Sequence, residues 1–142
     1  MDKKGYKELF VWRESVALVP DVYAVLRNFP THERFALCDQ IRRAVVSVPA
    51  NIAEGQAKHY RSEFLRHLRI AKGSLAELHT LMIIAEQVGY LDPVSLEEFE
   101  QKISAIARPL HRLILILQVK SNGNPGDSVE GGAEQSHQEA AL

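Results

Sequence analysis

Apolar residues along the first 120 positions recur at alternating spacings of three and four, which is the spacing of an amphipathic α-helix. Four stretches show this pattern, and we call the apolar stripe of each stretch a seam. No stretch shows the strict alternation of a β-strand. The seams are Leu9, Trp12, Val16, Val19, Tyr23 and Leu26; then Cys38, Ile41, Val45, Val48 and Ile52; then Phe64, Leu68, Ala71, Leu75, Leu78, Met82 and Ala85; and last Leu96, Phe99, Ile103, Ile106, Leu110, Leu113 and Leu117.

The breaks between the seams carry turn-forming residues. NFPTHE follows the first seam, and VGYLDPVS separates the third from the fourth. In the second of these breaks Asp92 precedes Pro93, which is the arrangement of an N-cap carboxylate before a proline at the first helical position. Short connections favour antiparallel neighbours, so the pattern predicts an all-α protein, an antiparallel up-down-up-down four-helix bundle.

Three of the predicted helices contain a proline, at Pro20, Pro49 and Pro109. Proline lacks a backbone N–H and clashes with the carbonyl four residues earlier, so each should kink its helix. In AVVSVPANIAEG the second seam keeps its spacing across Pro49. We therefore expect the second helix to continue to about Glu54 or beyond, with Gly55 as a C-terminal cap or a close-packing point.

Charge divides the chain into two parts. Residues 1–120 hold all 17 Lys and Arg and 14 of the 18 Asp and Glu, a net charge of +3, and residues 121–142 carry −4. The second part, SNGNPGDSVEGGAEQSHQEAAL, has almost no large apolar residue and cannot offset its ordering entropy by burial. We expect a four-helix bundle domain over residues 1–120 and a disordered acidic tail over 121–142.

The lone cysteine, Cys38, lies in an apolar seam, which favours a buried and inert thiol in a reducing compartment. The N-terminus lacks the apolar run of a signal peptide, and LILIL at 113–117 is too short to span a bilayer. We expect a cytoplasmic protein that is not bound to a membrane.

Basic residues form a stripe on the predicted third helix. At about 100° per residue, three of them fall opposite its seam. The stripe comprises Arg66, Arg69 and Lys72, joined by Lys58 if the helix begins early, by Arg61 at its margin and by Arg43 from the second helix. Such a stripe is the electrostatic footprint of a protein that binds a phosphate backbone. The alternative is a solvated face with ion pairs to neighbouring Glu.

Surplus apolar residues predict self-association. They lie outside or beside the third and fourth seams and are Ile70, Ile83, Ile84, Leu115, Ile116 and Val119. A single bundle cannot cover a helix that is apolar nearly all round. Ala71, Gly73 and Ser74 are small and would let a neighbouring helix come close. The alternative is a broad core face.

The histidines suggest weaker alternatives. RSEFLRH places Arg61 and His67 at a spacing that resembles the Arg-to-His motif of helical HEPN ribonucleases, in which the histidine would act on a ribose hydroxyl. His59, Glu63 and His67 are spaced to line one helical face and bind a metal, and an exposed polar face is the bland alternative. Glycine-rich phosphate loops, cysteine pairs and nucleophile motifs are absent from the sequence. We expect no enzymatic activity, cofactor or metal.

Three stretches, FALCDQIRRAVVSVPANIAEG, SEFLRHLRIAKGSLAEL and AEQVGYL, resemble the four-helix bundle family of 23S ribosomal RNA intervening-sequence proteins. The resemblance covers roughly Trp12 to Leu117, and it extends to the accessory variability determinant proteins of diversity-generating retroelements. It implies a ring-like homopentamer with no established enzymatic activity. For the accessory proteins it implies binding to nucleic acid and to a reverse transcriptase. Where the family tends to carry a serine, this chain has Tyr60, so Ser62 becomes a candidate cap two residues later and the start of the third helix stays open.

The favoured hypothesis is a non-enzymatic homo-oligomeric adaptor that binds RNA or DNA, together with a protein partner such as a reverse transcriptase. The alternative is a purely structural or protein-interaction oligomer without nucleic-acid binding. A ribonuclease is a distant third.

Overall fold

A computed structural model describes residues 5–122 of the chain and confirms the all-α prediction. Its four helices are α1 (Phe10–Leu26), α2 (Leu37–Ala57), α3 (Arg61–Gln87) and α4 (Pro93–Asn122). Short 3-10 turns, Tyr6–Glu8 and Thr31–Glu33, precede α1 and α2. Residues 5–122 contain no strand. The predicted acidic tail lies outside the described residues, apart from the last residues of α4.

The seams of α2, α3 and α4 form the core, as the spacing predicts. Every member of the α2 seam is buried, and in α3 only Phe64 is partly exposed. In α4 the four central members are buried, and Leu96, Leu113 and Leu117 pack against them from the rim. Cys38 is buried, as expected, and burial raises the pKa of its thiol. The thiol is therefore protonated at neutral pH and unreactive.

The predicted seam of α1 is wrong in its central positions. The structure buries a different set, namely Val11, Ser15, Leu18, Val22 and Leu26. Val16 and Tyr23, which the pattern places in the core, are 39% and 38% exposed. Ser15 occupies a core position because its hydroxyl donates to the carbonyl oxygen of Trp12 at 2.9 Å. That bond satisfies the buried hydroxyl. A polar residue thus interrupts the true apolar stripe and hides it from the sequence pattern.

Side-chain contacts fix the relative direction of two helix pairs. Ser47 contacts Ser74 and Asn51 contacts His67, so residue numbers fall on α3 as they rise on α2. The contacts of α3 with α4, described below, show the same opposite order. Both pairs are therefore antiparallel. α1 packs on α2 and, more lightly, on α4. The full up-down-up-down order stays a prediction.

The helix ends combine expected and unexpected chemistry. The second helix runs through Pro49 to Ala57, and Pro20 and Pro109 also lie inside helices. Asp92 caps α4 as predicted, because one of its carboxylate oxygens accepts the backbone N–H of Ser95 at 2.8 Å. That bond lowers the pKa of Asp92. The candidate cap of α3 is wrong: the helix begins at Arg61, its N-cap is Tyr60, and Ser62 does not cap it.

Among the helices of residues 5–122, none combines the length and the hydrophobicity that a bilayer-spanning segment needs.

Candidate nucleic-acid interface

Helices α2 and α3 approach each other closely at Gly55. A Cβ atom built on Gly55 would lie 2.5 Å from the Cβ of His67 and 3.3 Å from the Cα of Phe64. Real Cβ atoms do not come that close, so only glycine fits there. Of the two roles considered for Gly55, close packing is the one that the structure supports, since α2 continues past it. The contact brings the sequence stretches PANIAEG and EFLRHL against each other.

The close approach buries His67, whose side chain is only 4% exposed. Its Nδ1 lies 2.9 Å from Oδ1 of Asn51, and its Nε2 lies 3.2 Å from Nη2 of Arg66. The amide oxygen can only accept and the guanidinium can only donate. The two contacts fit an imidazole that donates from Nδ1 and accepts at Nε2, and Nε2 also lies 3.9 Å from Glu54 Oε1 and 3.8 Å from Glu63 Oε2.

The polar contacts continue from His67 into the interior between α2 and α3. The amide nitrogen of Asn51 donates to the carbonyl oxygen of Ser47 at 2.8 Å and to its hydroxyl at 3.0 Å. The hydroxyl of Ser47 lies 2.8 Å from that of Ser74, which is buried. No buried side-chain nitrogen or oxygen in residues 5–120 lacks a partner. We call Ser74, Ser47, Asn51 and His67 the polar chain.

The burial and contacts of His67, and the position of His59, count against the two hypotheses that give His67 a catalytic or metal-binding role. The HEPN-like hypothesis needs an imidazole that can reach a ribose hydroxyl, but both ring nitrogens of His67 are engaged and the ring is buried. The metal hypothesis needs His59 on the same helix, but His59 precedes α3 and has a φ of 61°. Within residues 5–122, no three His, Cys, Asp or Glu side chains converge as a metal site. The exposed polar face suggested for these residues is also wrong for His67.

The basic residues nearest His67 surround one carboxylate. Glu63 Oε2 accepts from Arg66 at 3.0 Å and from Lys58 at 3.4 Å, and Lys58 also pairs with Glu54 at 3.7 Å. The bond from Arg66, then the bond from Lys58, lowers the pKa of Glu63. The third helix does not begin early enough to include Lys58, because α3 begins at Arg61 and Lys58 is the C-cap of α2. Arg61 is the first residue of α3 and is half-buried.

Lys72 lies at the boundary of α3 and α4, not opposite the seam as predicted. It is half-buried, and its Nζ is 3.1 Å from Nδ1 of His111 on α4. An ammonium group can only donate, so Nδ1 of His111 accepts and its Nε2 carries the proton. Both groups therefore present N–H donors at this boundary. Arg69, one turn earlier on α3, is exposed as predicted.

Helix α4 adds two arginines that the sequence interpretation missed. Arg108 and Arg112 flank His111 on the exposed side of α4. Neither these two nor Arg69 and Lys72 forms an ion pair with a carboxylate among the described residues. The signal that could have found them is the HR pair within ARPLHRL, which the widened apolar seam of α4 obscured.

Charge is strongly polarised along the α3–α4 pair. His79 Nε2 lies 2.8 Å from Glu100 Oε2, and Lys72 lies against His111, so the antiparallel helices place residues 73–87 beside residues 93–107. Between Gly73 and Glu100 there are six carboxylates and no Lys or Arg. Residues 58–72 carry five Lys and Arg against one Glu, and residues 108–120, in the same half of the helix pair, carry three against none. We call residues 58–72 together with 108–120 the basic half.

Arg43 stands apart from the basic half. It lies on α2, its side chain is 81% exposed, and it faces Asp39 at 3.4 Å. Its neighbour Arg42 donates to the carbonyl oxygen of Arg34 at 2.7 Å.

The six surplus apolar residues are all exposed, between 37% for Ile83 and 72% for Val119. They do not form one surface. From the Lys72–His111 contact, Ile84 lies twelve residues along α3 and Leu115 four residues in the opposite direction, which separates them by about 24 Å at 1.5 Å per residue. We call Ile83 and Ile84 the α3 patch, and Leu115, Ile116 and Val119 the α4 patch. Along the helix axis, Ile70 lies between the two patches.

The small residues proposed to admit a neighbouring helix need a correction. Ala71 and Ser74 are buried inside the bundle, Ser74 against Ser47. Gly73 alone is exposed, and a Cβ built on it would meet nothing within 4 Å.

Comparison with known proteins agrees with the resemblance drawn from the sequence. A family model described as 23S rRNA-intervening sequence protein matches residues 7–112. A crystal structure of a protein with unknown function from the S23 ribosomal protein family of Bacteroides thetaiotaomicron VPI-5482 is similar, with a TM-score of 0.65 and 23% identity. The similarity covers 73% of this chain and 97% of that one, and at this identity it shows a shared fold. No curated protein matches.

Proposed function

Because this chain belongs to the 23S rRNA-intervening sequence protein family, we propose that it is a non-enzymatic, self-associating adaptor that binds the phosphate backbone of RNA or DNA. The basic half of the bundle is the binding surface. The observation that carries the proposal is the Lys72–His111 contact, which joins two basic helix segments into one surface.

Two properties of the basic half favour a polyanion. Arg69, Lys72, Arg108 and Arg112 have no carboxylate partner among the described residues, so their charge is available to a ligand. Lysine and arginine that neutralise phosphates release condensed counterions, and this release drives binding without regard to base sequence. The carboxylates gathered between residues 73 and 100 repel a polyanion and so orient it along the basic half.

The two apolar patches support self-association of a particular kind. A two-fold dimer uses the same patch on both copies, whereas a ring uses two different patches, one from each neighbour. The α3 patch and the α4 patch are separate surfaces of similar character, so one can dock on the other in the next copy. The resemblance implies five copies in such a ring. A ring would repeat the basic half and add avidity to weak individual contacts.

Binding is tested with fluorescence anisotropy of labelled RNA at several salt concentrations. In the double variant Arg69→Glu/Lys72→Glu, we expect affinity to fall and the slope of log K against log salt to flatten by about 1.5, because roughly two phosphate contacts are lost. The matched control is Lys7→Glu/Arg27→Glu, which changes net charge equally through exposed residues outside the basic half.

The triple variant with Arg66→Glu added tests the whole stripe that the sequence predicted on α3, and Arg108→Glu/Arg112→Glu tests the contribution of α4. Equal loss of binding in the control variant would mean that net charge alone matters and would remove the basic half from consideration. If the wild-type protein retains no RNA at low salt and micromolar concentration, the protein-interaction oligomer becomes the better hypothesis.

Self-association is tested by light scattering. Ile116→Glu should split the assembly and leave the bundle helical, because a carboxylate at a dry interface is costly. Val46→Glu is the matched control, since Val46 is 42% exposed and lies on α2, outside both patches. A monomeric wild-type protein would refute this part of the proposal.

A further inference from the structure

Tyr60 is a large aromatic side chain that the bundle leaves uncovered. It is 71% exposed and stands at the N-cap of α3. Among the described residues its ring makes no aromatic or cation–π contact, and its hydroxyl makes no hydrogen bond. At the N-cap position its side chain makes no capping hydrogen bond. No described hydrogen bond or ring contact within the fold therefore accounts for the Tyr60 side chain.

The connection that presents Tyr60 is short and defined. Only Lys58, His59 and Tyr60 separate the end of α2 from the start of α3. His59 has a φ of 61°, a left-handed conformation that residues with a side chain adopt rarely. Lys58 is held between Glu54 and Glu63. The turn thus fixes where the Tyr60 ring projects, instead of leaving it on a long loop.

The surroundings of Tyr60 are basic. Lys58 precedes it, and Arg61, Arg66, Arg69 and Lys72 follow on α3, with Glu63 as the one carboxylate between residues 58 and 72. Glu63 already accepts from Arg66 and Lys58. From Tyr60 to Lys72 the helix rises by about 18 Å, which is the length of about five stacked nucleotides at 3.4 Å each.

We propose that the basic half binds single-stranded nucleic acid and that Tyr60 stacks on one unpaired base at its end. This inference rests on the proposed function and narrows its ligand class. An aromatic ring needs an open base face, and a duplex hides its base faces inside the helix, except at its ends. Cationic side chains that follow the backbone and an aromatic ring that stacks on a base are the two parts from which sequence-tolerant single-strand sites are built.

The test compares Tyr60→Ala and Tyr60→Phe with the wild-type protein by fluorescence anisotropy. The probes are a labelled twelve-nucleotide RNA of mixed sequence without self-complementarity, and the same RNA inside a long duplex whose two ends are closed by non-nucleotide linkers. Removing the ring should weaken binding of the single strand about tenfold. Phenylalanine keeps the ring, so Tyr60→Phe should stay within about twofold of wild type. Tyr60→Leu, which keeps apolar bulk without a ring face, should behave like Tyr60→Ala.

The outcomes separate the two proposals. Unchanged single-strand binding in Tyr60→Ala, while Arg69→Glu/Lys72→Glu still binds weakly, would overturn the stacking proposal and leave the phosphate-binding proposal standing. An equal loss on the closed duplex would also overturn it, because the ring would then act without an open base. If Tyr60→Leu binds like wild type, apolar bulk suffices and the surface fits a protein better than a base. Circular dichroism should show unchanged helix in all variants, since Tyr60 lies outside the core.

Discussion

Replacing Gly55 by alanine should destabilise the bundle, although alanine is the better helix former. The new Cβ would lie 2.5 Å from the Cβ of His67 and 3.1 Å from its Cγ. The Cβ of His67 is attached directly to the α3 backbone, so a change of rotamer cannot relieve the clash. The two helices must separate by about 1 Å for a normal contact, and overpacking of this kind typically costs about 1–3 kcal/mol.

Two further effects set the net size of the change. Separation of the helices would lengthen the 2.9 Å bond from His67 to Asn51, and a neutral hydrogen bond contributes about 1 kcal/mol. Against this, exchange of glycine for alanine inside a helix gains about 1 kcal/mol. We expect Gly55→Ala to lower the free energy of unfolding by about 2 kcal/mol.

Gly73→Ala is the matched control, because Gly73 also lies inside a helix but a Cβ there meets nothing within 4 Å. It should gain up to about 1 kcal/mol from helix propensity alone. Both variants are compared with wild type by urea denaturation, at several protein concentrations so that self-association is separated from folding. A Gly55→Ala variant as stable as wild type would refute the close approach of α2 and α3 at this point. Equal effects at both glycines would refute the distinction between them.

Three further predictions concern single groups. Folding lowers the pKa of Glu63, so the ionised carboxylate stabilises the folded protein above its ordinary pKa of 4.5. That contribution is lost as pH falls through the lower pKa of the folded state. The stability of Glu63→Gln, measured by acid unfolding, should therefore depend less steeply on pH below 4.5 than that of wild type. Burial raises the pKa of Cys38, so a thiol reagent should label the native protein slowly and the urea-unfolded protein at once, and fast native labelling would contradict the burial. Asp92→Ala removes the cap of α4 and should lower the midpoint of thermal or urea unfolding, while Asp92→Asn, which keeps an accepting side-chain oxygen, should stay close to wild type.

The sequence predicts most of the bundle because three of its seams are almost purely apolar. The prediction fails where a polar residue is buried, because that residue has a hydrogen-bond partner that the apolar pattern does not reveal. Ser15 returns its hydroxyl to a backbone carbonyl, and His67 finds partners on another helix. A hydrophobicity pattern cannot distinguish a satisfied polar group from a solvated one, since the difference lies in contacts that exist only after folding.

The candidate interface also has one part that the sequence predicts and one part that it does not. Arg66 and Arg69 follow from the α3 sequence alone, because they lie on one exposed side of a single helix. The contribution of His111, Arg108 and Arg112 depends on how α3 and α4 align, which the sequence pattern leaves open. Lys72 is an example. Its position on the helix is near the edge of the seam, and it is half-buried only because α4 packs beside it.

The polar chain also distinguishes the observed alignment of α2 and α3 from one shifted by seven residues. Leu68, Leu75 and Met82 repeat every seven residues, so α3 shifted by about 10 Å would present nearly the same apolar surface to α2, with residues 61–67 drawn out of the helix into the connection. His67 and Ser74 are also seven residues apart, and in the slid state Ser74 would stand where His67 does. A serine hydroxyl is too short to reach Asn51 as the imidazole does, and the buried amide would lose a partner at about 1–3 kcal/mol. The apolar residues hold the two helices together, and the histidine–asparagine contact selects one alignment between them.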